Sequence, residues 1–77
     1  MANEAKIVET IMLRHGRNTS DGLFVVTQDA LTSSTAALGK HRGNTALKLT
    51  PRLQHIIDAH IRRLGGLEKQ YDVEALR

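Results

Sequence analysis

The chain has 77 residues, a formal net charge of +3 and no cysteine. This length allows one small domain over 1–77, with an N-terminal helical part over 1–43 and a second part over 44–77. The absence of cysteine excludes disulfides and thiolate metal sites, and no apolar run approaches the roughly 20 residues that span a bilayer, so we expect a cytoplasmic protein without a membrane partner.

The placement of the charge is more informative than its size. Only one acid, Asp58, lies between Lys40 and Arg63. A local excess of positive charge favours a polyanionic partner. The chain has two aromatic rings, Phe24 and Tyr71, whereas proteins that bind single strands stack bases on several rings, so duplex DNA is the expected partner. The basic residues of this segment are Lys40, Arg42, Lys48, Arg52, Arg62 and Arg63.

The first predicted helix covers residues 4–15. Asn3 is a suitable N-cap and Gly16 can end the helix. A loop rich in Gly, Asn, Ser and Asp follows over 16–22. The short apolar run 23–26 fits either a buried strand or the start of the next helix, because its length alone does not decide between them.

A second helix is predicted over residues 28–40. Thr27 can cap it, and either Gly39 or Gly43 can end it. Its small residues, in the sequence TSSTAA, allow another helix to approach closely. Ser and Thr also compete for backbone hydrogen bonds, which weakens the helix.

The clearest pattern is a third helix over residues 51–64. Thr50 and Pro51 are the favoured residues for an N-cap and a first helical position, and Gly65 suits the position after the end. The apolar side follows a helical repeat, and a further short helix is expected from about Glu68. The residues of the apolar stripe are Leu53, Ile56, Ile57, His60, Ile61 and Leu64.

Patterns typical of catalysis or metal binding are missing. His55 and His60 are five residues apart and therefore about 140° apart around a helix, which does not suit one ion. No nucleophile motif such as GxSxG and no phosphate-binding glycine loop occurs. A chain this short also has little volume for a substrate pocket. We therefore predict no catalytic residues, no metal, no cofactor and no enzymatic activity.

Two arrangements for binding DNA remain open. In the first, residues 34–49 form a helix-turn-helix, whose second helix begins near Asn44 and presents Asn44, Thr45 and Lys48 to the groove. In the second, 45–49 is a strand, because Thr45, Leu47 and Leu49 alternate with polar or small residues. The fold expected overall is mainly α, with three or four helices and one short strand at about 45–49 that pairs in a dimer.

In this second arrangement the stretch LKLTPRLQHIIDAHIRRLGG resembles the strand, Thr-Pro cap and first helix of the ribbon-helix-helix family, and GGLEKQYDVEALR resembles its turn and second helix. The resemblance covers about 44–77. It implies a homodimer whose paired strands enter the major groove, where outward strand side chains touch base edges. The resemblance and the charge together give the predicted DNA-binding residues Lys40, Arg42, Asn44, Ala46, Lys48, Thr50 and Arg52.

The function expected from these features is a small basic transcriptional regulator that binds duplex DNA as a homodimer. The alternative is an adaptor or inhibitor of a larger nucleic-acid machine, which binds another protein instead. In that case the apolar stripe of 51–64 would be partly exposed and would dock on the partner.

Overall fold

Within residues 2–65 and 70–72, which the computed structural model describes, the chain forms three helices and three very short strands. The mainly helical class predicted from the sequence is confirmed. Each helix contacts the other two, and the contact between the first and second helices is the most extensive. The helices are α1 (Ala2–His15), α2 (Gln28–Arg42) and α3 (Pro51–Gly65), and the strands are β1 (Arg17–Asn18), β2 (Leu23–Val25) and β3 (Gln70–Asp72).

The strands form one small sheet with β2 in its middle. β1 runs antiparallel to β2, with Arg17 opposite Val25, and β3 runs parallel to β2, with Leu23 opposite Gln70. The apolar run that fitted two structures is therefore a strand over Leu23–Val25. The helix predicted from about Glu68 is wrong at residues 70–72, which pair with β2, and its other residues lie outside the described part of the chain.

The core is apolar and draws on all three helices and β2. Gly16 allows a close approach here, because a Cβ at this position would overlap the ring of buried Phe24. None of the described helices has the length and apolarity to cross a lipid bilayer. The buried residues of the core cluster are Val8, Met12, Phe24, Val26, Ala30, Leu31, Leu38, Leu53, Ile57 and Ile61.

Two threonines set the starts of α2 and α3, as the sequence predicted. The hydroxyl of Thr27 accepts a hydrogen bond from the backbone N–H of Ala30, and that of Thr50 accepts one from Leu53, each at 3.1 Å. These bonds satisfy N–H groups that have no partner within the helix. α1 begins at Ala2, so the predicted N-cap residue Asn3 lies inside that helix.

The predicted strand over about 45–49 is not formed. Thr45 and Ala46 lie in a turn that Asn44 organises. The side-chain oxygen of Asn44 accepts a hydrogen bond from the N–H of Ala46 at 3.2 Å, and its carbonyl oxygen accepts one from Leu47 at 3.1 Å. These N–H groups bond locally, so they are not presented to a second strand.

The helix predicted to begin near Asn44 is also wrong, because α3 begins only at Pro51. The residues that connect α2 and α3 lie close against α2 at Gly39. A Cβ at Gly39 would overlap the carbonyl oxygen of Asn44. Leu47 and Leu49 pack against the core. The alternating pattern of residues 45–49 therefore reflects two leucines that pack against the core from an irregular connection, and it does not reflect a strand.

Candidate nucleic-acid interface

The outward face of α3 carries a group of exposed basic residues. At about 100° per residue, its members fall within an arc of roughly 100°. The opposite side of the helix, with Leu53, Ile57 and Ile61, is buried. Burial of that side fixes the rotation of α3 and turns the basic side to solvent. The exposed residues of this α3 face are Arg52, His55, Ala59, Arg62 and Arg63.

No acid lies among these exposed positions of α3. The only acid on the helix is Asp58, which is buried with 8% of its surface exposed. Its Oδ2 lies 3.0 Å from Nη2 of Arg62, one turn along the helix. A partner that approaches the α3 face thus meets guanidinium groups, an imidazole and the methyl group of Ala59.

Three of the predicted DNA-binding residues are exposed cations without a carboxylate partner within residues 2–65: Lys40, Lys48 and Arg52. Lys40 lies in the last turn of α2, Lys48 lies in the connection to α3, and Arg52 lies in the first turn of α3. Lys48 and Arg52 therefore bracket the start of the α3 face. These three side chains can meet phosphates without first breaking an ion pair.

The remaining predicted residues have structural roles or little chemistry of their own. Asn44 builds the turn and Thr50 caps α3, as described above. Ala46 is exposed in the turn but offers only a methyl group. The guanidinium of Arg42 donates to both carboxylate oxygens of Glu4, with distances of 2.7 and 2.9 Å. Arg42 therefore ties α2 to α1, and its charge is largely neutralised.

Sequence reasoning assigned no role at the site to His55, Ala59, Arg62 or Arg63. The helical repeat of 51–64 could have identified these residues. The positions between its apolar residues lie together on the opposite side of the helix. The predicted site lay in the connection instead, because residues 45–49 alternate as a strand does. The structure moves the centre of the candidate site from that connection to the α3 face.

The described surface has a concave region away from the α3 face and another that adjoins it. A groove of about 440 Å³ runs beside α1, with Ile7 and Ile11 on one side and His41 of α2 on the other. A smaller hollow of about 290 Å³ lies against the first turns of α3 and includes His55 and Asp58. The hollow adjoins the α3 face, whereas no residue of that face lines the groove.

Comparison with known proteins identified no relative. No protein-family model, curated protein or solved structure matches this chain. The similarity to the ribbon-helix-helix family therefore stays a prediction, and the assignment of function depends on the geometry of the site.

Glu4 and His60, which lie near contacts between the helices, both have lowered pKa values. The hydrogen bond from Arg42 lowers the pKa of Glu4 below its ordinary value of 4.5. Burial lowers the pKa of His60 below its ordinary value of 6.5, while the nearby charge of Glu4 opposes that shift. Both shifts favour the unfolded chain in acid, because the unfolded chain binds more protons in each case.

We expect the free energy of unfolding to fall in two stages as the pH is lowered from 7 to 3. The first stage lies just below pH 6.5, where unfolded His60 takes up a proton before folded His60 does. The second lies below pH 4.5, where the contribution of the Glu4–Arg42 pair is lost as Glu4 is protonated. Urea unfolding followed by circular dichroism at a series of pH values measures both stages.

Substitutions assign the two stages to their groups. His60→Gln should flatten the upper stage, whereas His55→Gln, which removes an exposed histidine from the same helix, should leave it unchanged. Arg42→Gln should flatten the lower stage. An upper stage that persists in His60→Gln would contradict the assignment to His60.

Proposed function

We propose that this protein binds duplex DNA through the α3 face and acts as a small basic regulator. The main support for this proposal is the α3 face, which has three arginines, one histidine and no exposed acid on one side of one helix. An α-helix fits the major groove of B-form DNA, where side chains reach both phosphates and base edges. Bound to an operator, the protein would exclude or recruit another protein.

Two further observations favour duplex DNA over single strands. Phe24 is buried in the core, and the α3 face contains no Phe, Tyr or Trp. Stacking of unpaired bases therefore has no phenyl, phenol or indole platform on this face. Lys40, in the last turn of α2, and Lys48, in the connection to α3, are also exposed. They add to the positive charge that can attract phosphates.

Homodimerisation is part of the proposal but no longer depends on a strand over 45–49. A single copy of α3 presents its basic face without a partner chain, whereas two copies would read two half-sites. Size-exclusion chromatography with light scattering measures the state of the free protein. The same measurement with duplex DNA shows whether two copies assemble on one site.

The alternative function, binding to another protein, is favoured by one observation. The groove beside α1 places Ile7 and Ile11 at the surface, half-buried and beside the basic side chains of Lys6 and His41. Such a groove suits an acidic segment with apolar side chains. In the apolar stripe of 51–64, Leu53, Ile57 and Ile61 are buried and Ile56 and His60 are half-buried. These residues therefore offer a partner only a small part of their apolar surface.

Titration with a nonspecific duplex at low and moderate salt tests the proposal. We expect micromolar binding that weakens with salt, because bound cations displace the counterions of the phosphates. For three to five phosphate contacts, the slope of log K against log salt should be about −3 to −4.5. No binding at the lowest salt would reject the DNA-binding function and favour the protein-binding alternative.

A further inference from the structure

Arg62 differs from the other two arginines of the α3 face. Its side chain is 72% exposed, yet its Nη2 is held 3.0 Å from Oδ2 of Asp58. For Arg52 and Arg63, no carboxylate partner occurs within residues 2–65. Arg62 is therefore the one arginine of this face whose direction is set by another described side chain.

The holding group is itself fixed. Asp58 is buried, and its Oδ1 is shielded from solvent without a hydrogen-bond partner in the described part of the chain. A carboxylate in this position depends on Arg62 for compensation of its charge, because burial of an unpaired charge is costly. Asp58 consequently limits the rotamers of Arg62 and reduces the entropy that Arg62 loses when it binds a ligand.

A guanidinium held in this way keeps most of its hydrogen-bonding capacity. Arginine has five N–H donors in a planar fork, and the contact with Asp58 occupies one edge. The contact with Asp58 involves Nη2, so the donors on Nε and Nη1 are not used by it. The O6 and N7 atoms of guanine in the major groove are a pair of acceptors that matches such a fork.

We propose that Arg62 reads guanine in the major groove and that Asp58 is its positioning residue. Arg52 and Arg63, whose long side chains are free of carboxylates in the described structure, bind phosphates. The inference rests on the proposed function and adds to it a base preference, which contact with phosphates alone does not give. It also gives the buried carboxylate of α3 a role in recognition.

The test compares two duplexes of alternating guanine and cytosine. One contains ordinary guanine, and the other contains 7-deazaguanine, which lacks the N7 acceptor but leaves the backbone charge unchanged. We expect the wild-type protein to bind the ordinary duplex about tenfold more tightly. A third duplex with inosine in place of guanine is the control. It loses only the minor-groove amine, so its affinity should equal that of the ordinary duplex.

Variants separate positioning from charge. Arg62→Ala removes every donor that could reach O6 and N7, so it should bind the ordinary and deaza duplexes equally. Asp58→Asn should also remove the difference, while its affinity for the deaza duplex stays within about twofold of wild type. Arg63→Ala is the matched control and should weaken binding to both duplexes by the same factor.

Each outcome bears on a different statement. Equal wild-type affinities for the ordinary and deaza duplexes would overturn guanine reading and leave DNA binding intact, whereas no binding to either would overturn the proposed function as well. A full preference in Asp58→Asn would overturn its positioning role. If Asp58→Asn lacks the helical circular-dichroism signal, Arg62→Ala alone decides, and a retained preference in that variant overturns the inference.

Discussion

Replacement of both Arg52 and Arg63 by alanine is expected to weaken binding to duplex DNA roughly 100-fold at about 50 mM salt. Both side chains are exposed on the α3 face and free of described carboxylates, so each can neutralise a phosphate directly. The loss of two such contacts should also make the slope of log K against log salt shallower by about 2. Fluorescence anisotropy with a labelled duplex at several salt concentrations measures both quantities.

The matched control replaces Arg14 and Arg17 by alanine. These residues are also exposed, and the change removes the same two positive charges, but from α1 and β1. Only the long-range field changes, so a loss of severalfold at most is expected. Equal weakening by the two double variants would show that total charge, rather than the α3 face, drives binding. Both variants should keep the wild-type circular-dichroism spectrum, because none of the four side chains is buried.

A second large effect is expected from Ile57→Ala, which should lower the free energy of unfolding by about 2–5 kcal/mol. The side chain of Ile57 is completely buried in the core cluster, and its truncation removes apolar contacts and leaves a cavity. A 77-residue chain has a total stability of only about 4–12 kcal/mol. The change therefore removes a large share of the stability, and urea denaturation measures the loss.

The neighbouring Ile56→Ala is the control for this effect. Ile56 lies on the same helix and undergoes the same chemical change, but it is only half-buried. Its loss should cost about 1 kcal/mol. Similar losses at the two positions would contradict the packing of α3 described above. Because Ile57 supports the side opposite the α3 face, Ile57→Ala should lose DNA binding only under conditions in which it loses its helical signal. The arginine variants should lose binding with that signal intact.

The features of α3 show how far local sequence patterns reach. Thr50, Pro51 and the apolar repeat predicted the start, the length and the buried side of this helix. α2 also begins after its predicted N-cap, Thr27, but it extends two residues beyond the predicted end at Lys40, and Gly43, one of the two glycines expected to end it, caps it with φ at 72°. Caps and helical repeats act over a few residues, so they can be recognised without knowledge of the tertiary fold.

The strands show where local patterns fail. Residues 45–49 alternate as a strand does, yet Asn44 folds their first part into a turn and Leu47 and Leu49 fill the core. Residues 70–72 were predicted as helix, yet they pair with β2. A strand exists only if another segment supplies hydrogen bonds, and that partner can be distant in sequence.

The sequence by itself determined that this is a mainly helical, basic chain with a well-defined amphipathic third helix. Only the tertiary structure decided which cations are available to a partner. Arg42 is neutralised by Glu4, 38 residues earlier in the chain, and Arg62 is directed by a carboxylate that becomes buried only when α3 packs. Charge can be counted in a sequence, but its exposure and its pairing depend on contacts between distant segments, which form only when the chain folds.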